Sequence, residues 1–463
     1  MAEIAPFRGT IYNNIKMNDL RSLVAPPYDV VTPEEQAAYH ASHPNNIMHL
    51  TLGASLPEDK HPYDWHRRSA QSFRQWLAEE TLVRQTEPAI YYAETDFSDP
   101  NSGKRRIRHG FISLLRLEDF DENASVRPHE RTFSSTKAER LDLMLQVNAH
   151  LSQIFVVFPD ERQEALELFE PHKARPPLFD FMDAEGRGHR VWPVTDPETL
   201  KRLCRFMLDR KVYIADGHHR YETSLNYRRH MVASGVTIKP SSPIHYTMVY
   251  LCPISDPGLS ILPAHRLVNN SVKLGLKELE SALSAFFDLQ TFSFSRVEER
   301  AARHAFLRQL ERKGRTGNAI GIYSRLAKAY YLLYLKNSVG KKTALDSWPP
   351  LLRRLDTVVL TGLVLQEVLG ITEEDLDDPA RITYTSRAAN AIRQVNEGQV
   401  EMACILNPTR IDQVQTVAES GLIMPRKSTY FFPKVITGLI LNVIHPDEKI
   451  DGMLGDAEPT RPR

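Results

Sequence analysis

Cysteine is scarce: three in 463 residues, Cys204, Cys252 and Cys404, far apart and in no paired spacing. That excludes a disulfide scaffold and a cysteine zinc site, and it points to a reducing compartment with structural thiols. Net charge is missing too. Lys plus Arg total 58 and Asp plus Glu total 58, so nothing draws the whole chain to nucleic acid or an anionic membrane, and any anion site must be local. No stretch offers the roughly 18 apolar residues of a membrane span. The start, Met1-Ala-Glu-Ile-Ala-Pro-Phe-Arg8, lacks a basic segment followed by an apolar run. Repeats and low-complexity tracts are absent as well. The expectation is a soluble cytoplasmic protein acting on a small molecule, with no nucleic-acid or membrane partner and a homodimer as the assembly allowed for.

What is present alternates between strand and helix periodicity. Helical spacing covers 64–80, 137–150 and 197–209, and an apolar strand lies at 154–158. The runs 89–93 and 106–114, parted by the polar loop 98–103, read as a hairpin. Further on, helices at 273–287 and 297–312 and strands at 290–294, 319–323 and 330–335 suggest an antiparallel α+β module. Strand 382–385, helix 387–396, strand 402–406 and helix 410–419 then alternate in βαβα fashion. The fold class is α+β. An N-terminal α/β region over 1–255 would carry the catalytic core, followed by a C-terminal α+β region over 256–450 and a flexible tail over 451–463.

Chemistry concentrates at Val212-Tyr213-Ile214-Ala215-Asp216-Gly217-His218-His219-Arg220-Tyr221, where an apolar strand stops at a charged turn and a helix begins. A helix start presents free N–H groups at its positive end, and Gly217 allows close approach of an anion. Arg220 adds a planar fork, and His218 and His219 add imidazole donors. Together they form a phosphate cradle; the plain alternative is a surface turn with adjacent histidines. His129, Glu130, Asp216, His218 and His219 are all metal-ligand types, but adjacent histidines rarely reach one ion, so Mg2+ held by Asp216 and substrate phosphates fits better than zinc.

Glu130 is either a general base for a substrate hydroxyl or the partner of Arg127, Arg131 or Arg140 in a solvated salt bridge; the residues alone leave this open. Likewise, Arg426, Lys427 and Lys434, with Ser428 and Thr429, either close over polyphosphate or form a solvated basic loop. The stiff segment Ala25-Pro26-Pro27-Tyr28-Asp29 either lines a pocket or is a connector.

Five stretches, Ala25-Pro26-Pro27-Tyr28-Asp29-Val30, Pro128-His129-Glu130, Ile214 to Tyr221, Leu259-Ser260-Ile261-Leu262-Pro263-Ala264-His265-Arg266 and Met424 to Phe431, resemble in order the family called domain of unknown function 1015. The Asp-Gly-His-His-Arg turn is also similar to the phosphate loop of free L-serine kinases, which share a fold with the nucleotide-binding domain of ParB and with sulfiredoxin. This resemblance implies a ParB/sulfiredoxin-like mixed α/β core with an added C-terminal region. It further implies phosphorylation of L-serine to O-phosphoserine, with pyrophosphate, ATP or ADP as donor.

On that reading Glu130, Asp216 and His218 are catalytic, with Glu130 taking the hydroxyl proton. Gly217, His218, His219, Arg220, Lys427 and Lys434 bind phosphate, while His129, Arg220 and Asp29 bind substrate. Alternatives are a non-enzymatic nucleotide-binding regulator and a metal-dependent phosphohydrolase. The chain departs from the resemblance in the long spacing between Glu130 and Asp216. It also has no counterpart of the sulfiredoxin cysteine and no helix-turn-helix of ParB type.

Overall fold

The computed structural model describes residues 1–235, 238–269, 274–324, 327–337, 343–445 and 447–450. The flexible tail expected over 451–463 lies outside the described residues. Two compact units emerge, one of Met1–Ser260 with Pro433–Arg463 and the other of Ile261–Phe432.

The first unit is built on a nine-stranded mixed sheet of β1 (Ile4–Ala5), β2 (Ile90–Ser98), β3 (Arg105–Arg116), β4 (Val126–Arg127), β5 (Ile154–Phe158), β6 (Phe179–Met182), β7 (Gly188–Val194), β8 (Val212–Asp216) and β9 (Tyr246–Pro253). Its order is β4-β8-β5-β9-β3-β2-β7-β6, with β1 also on β3. The expected hairpin is the antiparallel pair β2 and β3. Its loop closes because the Asp99 carboxylate accepts the N–H groups of Asn101 (3.1 Å) and Ser102 (2.9 Å). Two pairings are parallel: β4 with β8, and β5 with β9.

The unit also holds four long helices: α1 (Asp64–Ala78), α2 (Ser134–Val147), α3 (Pro197–Leu208) and α4 (His218–Ala233). α3 starts where Asp196 accepts the Thr199 N–H at 2.8 Å and Pro197 sets the first turn. Its Leu200, Leu203 and Met207 share one core with Val156, Ile214, Tyr221 and Leu225. A second core joins Trp65 and Phe73 of α1 to Leu143 and Val147 of α2 and to Leu441. α2 stops earlier than its periodicity suggests, because Asn148 turns left-handed (φ +53) and donates its N–H to Met144 O at 2.8 Å. The following Ala149–His150 is a short strand paired antiparallel with Asn442–Val443.

The second unit holds a six-stranded sheet of β10 (His265–Val268), β11 (Phe287–Ser293), β12 (Ala319–Ser324), β13 (Ala329–Leu335), β14 (Ile382–Thr385) and β15 (Met402–Leu406), in the order β11-β13-β12-β15-β10-β14. Every pairing in it is antiparallel. The expected βαβ alternation is therefore split. β14 and β15, joined through the helix Ala388–Asn396, run parallel to each other but are separated by β10. Phe306, Leu310, Tyr330, Ile392 and Val395 form its core. Among the described residues no helix is long and apolar enough to cross a membrane. All three cysteines are buried and unpaired.

Candidate functional site

The wide gap in sequence between Glu130 and Asp216 closes through one strand pairing. β4 and β8 run parallel, with Val126 opposite Val212 and Arg127 opposite Tyr213, so both chains leave the sheet at the same end. Pro128-His129-Glu130 therefore emerges beside Ala215-Asp216-Gly217. The His129 N–H donates to His218 Nε2 at 3.2 Å, and the two rings meet edge to face at 4.7 Å. Farther along, the Phe133 N–H donates to His219 Nε2 at 3.0 Å. Glu222, one turn into α4, accepts from Thr132 Oγ1 (2.7 Å) and Lys137 Nζ (2.5 Å), which ties this loop and the start of α2 to α4.

A bulge aims Asp216. Against β5, Ile214 pairs with Val156 but Asp216 pairs with Phe155, so one extra residue stands in β8 at Ala215. Paired residues share a sheet face, and the bulge thus moves Asp216 off the core face of Ile214 and onto the face of Phe155. Gly217 follows at φ +91, where a Cβ would stand 2.9 Å from Arg220 Nε and 3.0 Å from Cζ. The absent side chain lets the guanidinium fold back across the turn.

Asp216 lies between two cations. Arg220 Nη2 donates to Oδ2 at 2.7 Å, while Lys434 Nζ, from the far end of the chain, meets Oδ1. The Asp216 side chain is only 11 % exposed. Burial alone would raise its carboxyl, but Lys434 and then Arg220 outweigh that and hold it well below the usual carboxylate range. Arg220 Nη1 reaches the Gln153 carbonyl and, at 3.4 Å, Ser152 Oγ. The guanidinium expected as an open fork is thus largely committed within the protein.

The imidazoles are neutral donors. Burial pushes His129 down to about 4, drives His218 well below its ordinary value, and lowers half-buried His219. Because Nε2 of His218 and of His219 accepts a backbone N–H, each carries its ring hydrogen on Nδ1. His218 Nδ1 lies 3.9 Å from Glu130 Oε2, whose side chain remains 33 % exposed. A buried neutral imidazole thus faces an accessible carboxylate at the mouth of the turn. Asp29, on an exposed turn, acts electrostatically on His219 and Arg220.

The expectation that Asp216 holds Mg2+ does not fit this arrangement. Both its oxygens face cations, and a dication there would meet Lys434 and Arg220 directly. Among the described residues no group of three or more His, Cys, Asp or Glu side chains is placed to hold a metal ion. Of the two C-terminal lysines, Lys434 belongs to this cluster. Lys427, exposed and at φ +53, belongs to the second unit.

Three contributors escape a reading by residue type. Ser152 and Gln153 seat Arg220. Arg108, fully buried in β3, sits 4.8 Å from the Phe155 ring and 5.2 Å from the Tyr250 ring and donates to the Pro433 carbonyl, fixing the backbone beside Lys434. Lone polar residues on or beside strands carry no local sign of such a role. The cluster as a whole offers a helix N-terminus, neutral imidazole donors, two cations and one accessible carboxylate, the set that phosphoryl chemistry uses.

Comparison with known proteins places these residues in context. Solved structures similar to the chain include a free serine kinase in complex with AMP (10 % identity, TM-score 0.34, covering 73 % of this chain and 93 % of that one). SbnI with a C-terminal truncation, from Staphylococcus aureus, is similar at 9 % identity and a TM-score of 0.35, covering 74 % and 92 %. A conserved hypothetical protein from Pyrococcus furiosus follows at 10 % and 0.32, covering 71 % and 98 %. At these values the likeness is faint. No curated protein matches the chain. The family described as "Protein of unknown function (DUF1015)" matches residues 4–358, and the chain belongs to that family.

Proposed function

We propose that the protein is a small-molecule kinase that phosphorylates free L-serine to O-phospho-L-serine, using a nucleotide or pyrophosphate as donor. The observation that carries this reading is the part-exposed Glu130 carboxylate beside a neutral His218 at a helix start lined with cations. The ParB/sulfiredoxin-like core belongs to the same proposal, supported by the Asp-Gly-His-His-Arg turn at the end of β8. Glu130 takes the proton from the serine hydroxyl as its oxygen bonds to the transferred phosphorus. The bridging P–O bond to the donor breaks, and the leaving phosphate keeps that electron pair.

His218 presents its Nδ1 at 3.9 Å from Glu130 Oε2 and stays uncharged because it is buried. Backbone N–H groups at the start of α4, with Lys434 and the guanidinium of Arg220, stabilise charge on the phosphoryl oxygens, and Asp216 keeps those two cations in place until the donor arrives. The test is purified protein with L-serine and ATP, ADP or pyrophosphate in turn, followed by detection of phosphoserine. Product is expected with at least one donor, and Glu130→Gln should lower kcat by roughly 10²–10⁴-fold while donor binding persists. No phosphoserine from any donor overturns the reading.

A further inference from the structure

Within the second unit a groove of about 460 Å³ lies at one end of the six-stranded sheet, inside the roughly 300–1,000 Å³ range of small-molecule sites. Strand pairing builds it. β12 and β15 run antiparallel with Ile320 opposite Leu406, which brings Asn318, just before β12, and Asn407, just after β15, to the same end. Asn318 Nδ2 donates to Asp356 Oδ1 at 2.9 Å and to the Arg354 carbonyl at 3.1 Å, and the Ala319 N–H meets the same Oδ1 at 3.3 Å. Asn407 Nδ2 donates to the Leu310 carbonyl at 3.2 Å, in the last turns of the helix Glu299–Gly314. Gly314 makes room for it, since a Cβ there would strike that amide.

These bonds leave two acceptors unused, Asp356 Oδ2 and Asn407 Oδ1, and neither is sealed from solvent. Both residues are part-exposed and line the groove. No cation touches Asp356 among the described residues; Arg410 acts on it without contact, and burial raises the carboxyl to about 6. Arg354 also lines the groove, exposed and with no side-chain partner among the described residues. Arg315 and Arg410 flank it in exposed pairs with Glu311 (2.6 Å) and Asp412 (3.1 Å), weak pairs that open to a doubly charged anion. Two adjacent acceptors call for two adjacent N–H donors, and an uncommitted guanidinium calls for phosphate. Leu351 and Pro408 supply apolar surface for a flat ring.

We propose that the second unit binds a guanine nucleotide in this groove, with N1–H and the N2 amino group of the base on Asp356 and Asn407 and the phosphate on Arg354. Guanine alone among the common bases places two donors side by side on that edge. Adenine sets its amino group beside an acceptor nitrogen, and uracil sets one N–H between two carbonyls, so each would turn a lone pair toward the carboxylate. Every lining residue belongs to Ile261–Phe432, whereas Asp216, Arg220 and Lys434 belong to the first unit. The site is thus separate from the phosphate turn, and its assignment does not depend on the kinase reading.

Calorimetric titration of the full chain with GMP, AMP, UMP and guanosine tests this. GMP is expected to bind, with AMP, UMP and the phosphate-free guanosine each at least tenfold weaker. Arg354→Ala, a change at an exposed side chain, should weaken GMP at least tenfold and leave guanosine unmoved. Asp356→Asn keeps the side-chain shape and should abolish the preference for GMP over AMP. Asp216→Asn in the first unit should leave GMP affinity unchanged. Absence of GMP binding, equal affinity for AMP, or native GMP affinity in Arg354→Ala overturns the inference. If GMP binding is lost in Asp216→Asn but kept in Arg354→Ala, the nucleotide sits at the phosphate turn and the groove assignment falls.

Discussion

At the scale of single residues, Asp216 governs the site because it is the anion between two cations. Neutralising it leaves Lys434 and Arg220 facing each other at low dielectric with nothing between. Removing one member of a buried ion pair typically costs about 3–5 kcal/mol. Asp216→Asn is therefore expected to lower Tm, and inorganic phosphate or pyrophosphate should restore part of the loss in the variant while shifting the native protein much less. Equal shifts in both would show that no anion enters between these cations. The residue types at the turn announce an anion site by themselves. The direction of each imidazole is not legible there, because it depends on N–H groups of His129 and Phe133, far away in sequence.

Among the elements, the strand-to-helix turn of β8 and α4 does most to place the chemistry. Gly217 occupies left-handed space, and a side chain there would be strained and would push on the Arg220 guanidinium. Gly217→Ala should cost about 1–2 kcal/mol in urea unfolding, with donor binding lost beyond what stability explains. A variant with native stability and native donor affinity would refute this account of the turn. Strands and helices with strong local patterns, such as β5 and α3, are legible from apolar spacing alone. The bulge at Ala215 is not, since register is decided by the neighbouring strand. Nor is the early end of α2, where Asn148 turns left-handed although the apolar spacing runs on.

On the scale of the whole molecule, buried histidines set the response to acid. His129 and His150 are held neutral, with values pushed from 6.5 down to about 4. The unfolded chain takes up these protons below pH 6.5 and the folded one does not. Their contribution is therefore full above 6.5 and is lost as pH falls toward 4, by roughly 3 kcal/mol for each. His218 acts in the same direction. In the second unit His265, lowered to about 3, does likewise, but Asp356 is raised by burial to about 6. Its stabilisation is full below 3.8 and fades as pH rises through 6, so it opposes His265. Hydrogen exchange between pH 7 and 4.5 should show amides of the first unit losing protection before those of the second. Simultaneous loss would contradict this assignment.

The α+β class and most element positions can be read from local periodicity. The return of the chain from Pro433 to the first unit cannot, because nothing in the residues around Lys434 names a partner so far upstream. That return has a consequence in time. On the ribosome, the sheet, the bulge and the turn at Gly217 all emerge before the second unit begins, and Lys434 emerges only after the second unit is complete. During that interval Asp216 has Arg220 but lacks its other cation. The nascent chain thus carries most of the site's architecture for the whole synthesis of the second unit, and the last charge arrives only after it.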